Sequence, residues 1–196
     1  MRVSKVSRRE LRRMLRRWGL LDLDGWDRLG GCVTLSSGAD ELRLYDEAVD
    51  SSLREDVESR LIDAARLFAA QIEVAESVYV FSDGLWPARG ARDETTLLAQ
   101  AAASGRITRA FGGAVKIEAL TRNQLRRLMA EVTRETAYAR IDCSILASTA
   151  GGHVVWSPCH HADIHVYTDG DQTVVAALRT VASASGLSAI HEPKGS

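Results

Sequence analysis

The chain has 196 residues, 45% of them hydrophobic and 26% charged, with a formal net charge of −1. That length suits one large domain or two small ones, and the balance is ordinary globular usage; it argues against extended disorder and against a strongly basic nucleic-acid binder. Cys32, Cys143 and Cys159 form no CxxC pair, so the chain reads as cytoplasmic and not as a disulfide scaffold.

The basic N-terminus is followed by no apolar run, so no secretory signal is expected. No apolar stretch reaches the ~18 residues that read as a membrane span. Ser7-Arg8-Arg9-Glu10 has the form of a capping box. Leu11, Met14, Leu15 and Trp18 then fall on one helical face, and Gly19 is placed to end the helix. Arg8, Arg9, Arg12, Arg13, Arg16 and Arg17 cover the other face. Residues 1–20 are thus read as a basic amphipathic helix, and 21–196 as a single α+β domain. Any division of that domain into two subdomains would fall near 83–113, where turn residues gather.

Residues 32–35 and 41–45 read as two short strands joined by a hairpin at Ser36-Ser37-Gly38-Ala39-Asp40. A helix is expected over 52–74, on the apolar stripe Leu53, Val57, Leu61, Ala64, Ala65, Phe68 and Ile72. A buried strand follows over 77–82, then a helix capped by Asp93, then a strand over 114–119. Thr121-Arg122-Asn123-Gln124 is a second capping box, with Leu125, Leu128, Met129 and Val132 behind it.

A long half-buried strand is expected over 137–147, where Ala139, Ile141, Cys143 and Ile145 alternate with Tyr138, Arg140, Asp142 and Ser144. Gly151-Gly152 turns the chain into a strand at 153–157, which Pro158 interrupts. Extended chain resumes over 162–168, a helix runs 172–185, Gly186 closes it, and 187–191 form a last strand. The fold class is therefore α+β: a mixed, mainly antiparallel sheet with helices on one face. From residue 114 the βαββαβ order is ferredoxin-like.

Three groups of residues carry candidate chemistry. The arginine helix is the first. Residues 1–17 hold eight basic residues against Glu10 alone, whereas 40–76 hold eleven acids and four arginines. Arg9, Arg12, Arg13, Arg16 and Arg17, with Trp86, are the expected partner-binding residues. A solvent-facing helix, or one lying across the acidic segment, explains the same charges more simply.

Next comes Cys159-His160-His161-Ala162-Asp163-Ile164-His165. Thiolate and imidazole suit zinc, with Cys159 and His161 as candidate ligands. On a straight strand His161, Asp163 and His165 share a face, but i and i+4 stand roughly 13 Å apart, too far to close on one ion.

Finally, if their strands pair, His161, Asp163 and His165 could meet Arg140 and Asp142. An imidazole oriented by a carboxylate begins a general base. A salt-bridged sheet surface is the plainer account, and no nucleophile elbow or phosphate loop accompanies the group.

The first functional expectation is thus a non-catalytic, protein-binding or regulatory chain of the immunity or adaptor kind. It would act through its sheet face and segregated charges. Two alternatives stand beside it: a small enzyme using the His/Asp/Arg group, with or without zinc, and a nucleic-acid-associated regulator using residues 1–17.

Overall fold

The computed structural model describes residues 2–22, 27–28, 30–38, 42–72, 74–82, 96–104, 113–138, 143–149, 151–169 and 171–192. Among them the strands are β1 (Arg2–Ser7), β2 (Leu21–Asp22), β3 (Asp27–Arg28), β4 (Gly31–Ser36), β5 (Val74–Phe81), β6 (Gly113–Glu118), β7 (Ser144–Thr149), β8 (Gly152–Pro158), β9 (Asp163–Thr168) and β10 (Ser188–Glu192). The helices are α1 (Arg8–Arg17), α2 (Ser51–Gln71), α3 (Leu97–Ser104), α4 (Arg122–Ala137) and α5 (Gln172–Ser185). Eight strands join in the order β1-β6-β5-β7-β8-β9-β4-β10, and every pairing is antiparallel. Strands β2 and β3 pair separately.

Side chains alternate across a strand, so each strand is shared between two faces. On the larger face Val80, Val115, Ile145, Val154, Trp156, Ile164 and Val166 meet the apolar stripes of α2, α4 and α5. Leu97, Leu98 and Ala101 of α3 join the same core. On the opposite face Val6, Ala114, Phe81, Leu146 and Val155 lie under Leu11 and Leu15 of α1. Helices therefore cover both faces, which corrects the one-face expectation. The physical reason lies in β5, β7 and β8. The neighbours Val80–Phe81, Ile145–Leu146 and Val154–Val155 point to opposite sides, and all six are buried. Strands apolar on both sides need cover on both. It follows that α1 and α2 are separated by the sheet, so the arginines of α1 do not lie across α2.

The helix ends follow their sequence signals. Ser7 Oγ accepts from Glu10 N at 3.2 Å. Thr121 and Gln124 make the full reciprocal box, at 3.2 and 2.9 Å. Gly186 closes α5 in the left-handed region, at φ 69°. Glu131 of α4 caps a different helix: its Oε2 accepts from Leu97 N at 2.7 Å and Leu98 N at 3.3 Å.

At the head of α2, Asp50 accepts from the Ser52 hydroxyl, Leu53 N and Ser52 N. These bonds, the Ser52 hydroxyl first, hold its carboxyl below the ordinary aspartate range. A depressed carboxyl stabilises the fold above its unfolded value and loses that contribution as pH falls through the folded one. Asp50→Ala should therefore lower Tm at neutral pH, and the difference from wild type should shrink on acidification. Asp50→Asn, which still caps, should lose less. Thermal melts of the three proteins across the acid range check this.

Several sequence expectations are corrected. Residues 2–7 are a strand on β6, not part of the helix. Their exposed Arg2 and Lys5 are typical of a charged sheet edge. Residues 42–45 form no strand; Leu44 alone there is buried, and β4 pairs with β9 and β10 in place of a 41–45 partner. The strand expected over 137–147 is divided: Ala137 ends α4, Tyr138 is its C-cap, and β7 begins at Ser144. Tyr138 instead donates to Glu58 Oε2 at 2.7 Å, tying α4 to α2. Leu53 is 44% exposed and leaves the α2 stripe, because the helix turns it away from the sheet.

A split βαβ order would bring its first and third strands together in parallel. Here β5 and β4, both from the N-terminal half, are inserted into the C-terminal set, and no described pair is parallel. Among the described residues no helix is long and apolar enough to cross a membrane.

Candidate functional site

The antiparallel register lines up one residue per strand across the α1 side of the sheet. Val6, Ala114, Phe81 and Ser144 stand on β1, β6, β5 and β7. Ser157, His165, Thr34 and Ile190 continue the row on β8, β9, β4 and β10. The first three residues are apolar and lie in the cluster beneath α1. From Ser144 onward the row turns polar. Ser144 Oγ donates to Ser157 Oγ at 2.9 Å. Thr34 Oγ1 lies 3.1 Å from His165 Nδ1. Ile190 ends the row at 52% exposure.

Asp163, His165 and Tyr167 alternate on β9 and share this face, all partly exposed. His161 does not join them. It lies in the turn between β8 and β9, where Cys159 N donates to Asp163 O at 2.8 Å and Ala162 takes a left-handed φ of 61°. Pro158 closes β8 and turns the chain there, so the straight-strand separation does not apply. His161 Nδ1 is instead 3.3 Å from Cys159 Sγ, and the His160 and His161 rings are 4.0 Å apart. One donor atom from each of Cys159, His160 and His161 lies within 4.8 Å of the others.

Arg140, Asp142 and Trp86 lie outside the described residues. Asp163 and His165 thus keep their common face, while the arginine and aspartate proposed to meet them have no described position. Trp156 is a core residue, 1% exposed. Cys143 is buried in the main core. Arg9, Arg13, Arg16 and Arg17 are exposed on α1, and Arg12 is partly buried. Arg16 pairs with Asp22 at 2.7 Å.

Sequence reasoning missed a contact at the other end of β8. His153 receives Asp169 twice: Oδ2 accepts from His153 N at 2.9 Å and lies 3.1 Å from Nδ1. The imidazole stacks on Trp18, with centroids 4.0 Å apart and planes at 13°. Trp18 is the C-cap of α1, so this stack pins the end of that helix to the sheet. A signal was present. In an antiparallel pair one partner fixes all others, and setting Ser157 against His165 brings His153 to Asp169.

A groove of about 790 Å³ lies between α2 and α4, with Arg66, Arg126, Arg134, Leu67 and Glu131 among its walls. It holds none of the histidines and sits on the far side of the sheet from the polar row. The Asp163–His165 face is no part of that groove. Compared with models of known families, with curated proteins and with solved structures, the chain matches none.

Proposed function

We propose that this chain is a non-catalytic protein-binding protein, regulatory in the manner of an immunity or adaptor protein. Its binding surface is the part of the α1 face, from Ser157 and His165 to Ile190, that no described helix covers; Ser144 and Thr34 lie buried in the same row. The observation that carries this reading is the cross-strand row: polar from Ser144 to Thr34, and ending on the half-exposed Ile190 of an edge strand. An apolar residue at the rim of hydroxyls, an imidazole and a carboxylate offers a protein partner both burial and hydrogen bonds. Three free cysteines, two of them buried, fit a reducing, cytoplasmic setting.

The enzyme alternative finds less support. It rests on Asp163 and His165, which share a face, with His165 Nδ1 3.1 Å from the Thr34 hydroxyl. The nucleic-acid alternative rests on the exposed arginines of α1, and Arg16 is already held by Asp22.

A photo-crosslinking side chain placed at Ile190 should capture one defined protein from the native host. The same group at Glu55, exposed on α2 across the sheet, should not. Adding His165→Asp should cut the capture at least about tenfold, the scale of a hot-spot residue worth about 1.4 kcal/mol. Equal capture from both positions, or none from Ile190, overturns the proposal.

A further inference from the structure

We propose that the β8–β9 turn is a zinc-class metal site formed by Cys159 Sγ with one nitrogen each from His160 and His161. The inference stands apart from the binding reading, since it rests on the turn alone.

The geometry is near that of a coordinated ion. Zinc bonds of ~2.3 Å to sulfur and ~2.0–2.1 Å to nitrogen, set tetrahedrally, place sulfur and nitrogen about 3.6 Å apart. Cys159 Sγ and His161 Nδ1 are 3.3 Å apart. The third donor lies within 4.8 Å of both, so a side-chain displacement of about 1 Å or less brings it to the coordinated spacing. His160 is exposed, with its ring against His161 and Tyr45; Cys159 and His161 are half-buried and hold the frame. The backbone is fixed beneath them: Cys159 N donates to Asp163 O, and the His161 amide lies 3.5 Å from Cys159 Sγ.

Binding is balanced by proton loss. The Cys159 thiol gives its proton to solvent as the sulfur takes the ion, and both imidazoles enter neutral. Three protein ligands leave one coordination position for water or an outside carboxylate, the pattern of an open zinc site. One thiolate and two imidazoles suit zinc and disfavour magnesium or calcium, which take oxygen.

Cobalt(II) is the probe, on the full chain made without a histidine tag. The expected result is one ion per chain with a thiolate-to-cobalt charge-transfer band that Zn²⁺ abolishes. Cys159→Ser should remove the band, and His161→Ala should weaken binding at least about tenfold. His191→Ala, a histidine on β10, should leave both unchanged. A second readout needs no variant. Zn²⁺ should protect Cys159 from alkylation in the native chain and a chelator should restore labelling, since Cys32 and Cys143 are buried. Cobalt binding without a thiolate band, or alkylation indifferent to Zn²⁺, overturns the proposal.

Discussion

Trp156→Ala should cost the fold about 3–5 kcal/mol, the range for removing a large buried aromatic. The indole sits on β8 where the sheet meets α2 and α4. Its ring stacks on Phe68 of α2 with centroids 5.1 Å apart and planes at 16°. Its Nε1 donates to Thr133 Oγ1 of α4 at 3.0 Å, and Thr133 is fully buried. Truncation therefore opens a cavity between three elements and strips a buried hydroxyl of its donor. Typical domains hold only about 5–15 kcal/mol in total, so the variant should be largely unfolded in mild urea. Trp156→Phe keeps much of the stack but not the donor, and should lose about 1–3 kcal/mol. Urea unfolding of the three proteins separates the two contributions. An alanine variant within about 1 kcal/mol of wild type would place the indole elsewhere.

The same tryptophan shows what could be read from the sequence. The helices over 52–74, 121 onward and 172–185 were visible because their stripes repeat at helical spacing between recognisable caps; α5 occupies the range expected for it, while α2 ends at Gln71 and Val74 already belongs to β5. Strand partners were not visible. Alternation gives a strand's two faces but not its neighbour, so β4 and β5 could not be placed inside the C-terminal set. The run through 137–147 misled because Ala137 and Tyr138 belong to the last turn of α4, where buried Thr133, Thr136 and Ala137 follow helical spacing. The second helical layer was signalled by doubly apolar neighbours such as Val154–Val155, a pattern easily read as one buried face.

At the candidate site the residue types were legible and their geometry was not. Asp163 and His165 share a face because both lie on β9. His161 leaves that face because the turn begins after Pro158, and this brings it to Cys159. Thr34 and Ser157 carried no sequence signal, and alternation gave Ser144 only its side of the strand; the register gathers them around His165.

Gly30→Ala should destabilise the attachment of α1 at the top of, or beyond, the ~1–3 kcal/mol typical of overpacking. A Cβ built on Gly30 runs into the Thr168 carbonyl oxygen of β9 and lies 2.7 Å from that of Gly19. Both obstacles are backbone, so no side-chain rotation relieves them. Gly31→Ala is the matched control: its Cβ meets nothing nearer than 3.8 Å, and it should be tolerated. The strain falls on a particular junction. Gly19 follows α1 and Thr168 ends β9, so the chain at Gly30 holds the helix end against the sheet, beside the Trp18–His153 stack. Forcing it apart should loosen α1 and uncover Phe81, Leu146 and Val155 while leaving the α2–α4–α5 core in place. Native-state hydrogen exchange should show α1 amides opening faster in Gly30→Ala, with α4 amides little changed. Uniform acceleration across both layers would mean that α1 is no separate cover but part of one cooperative core. The proposed binding surface would then lose its boundary, because that boundary is where α1 stops and the polar row begins.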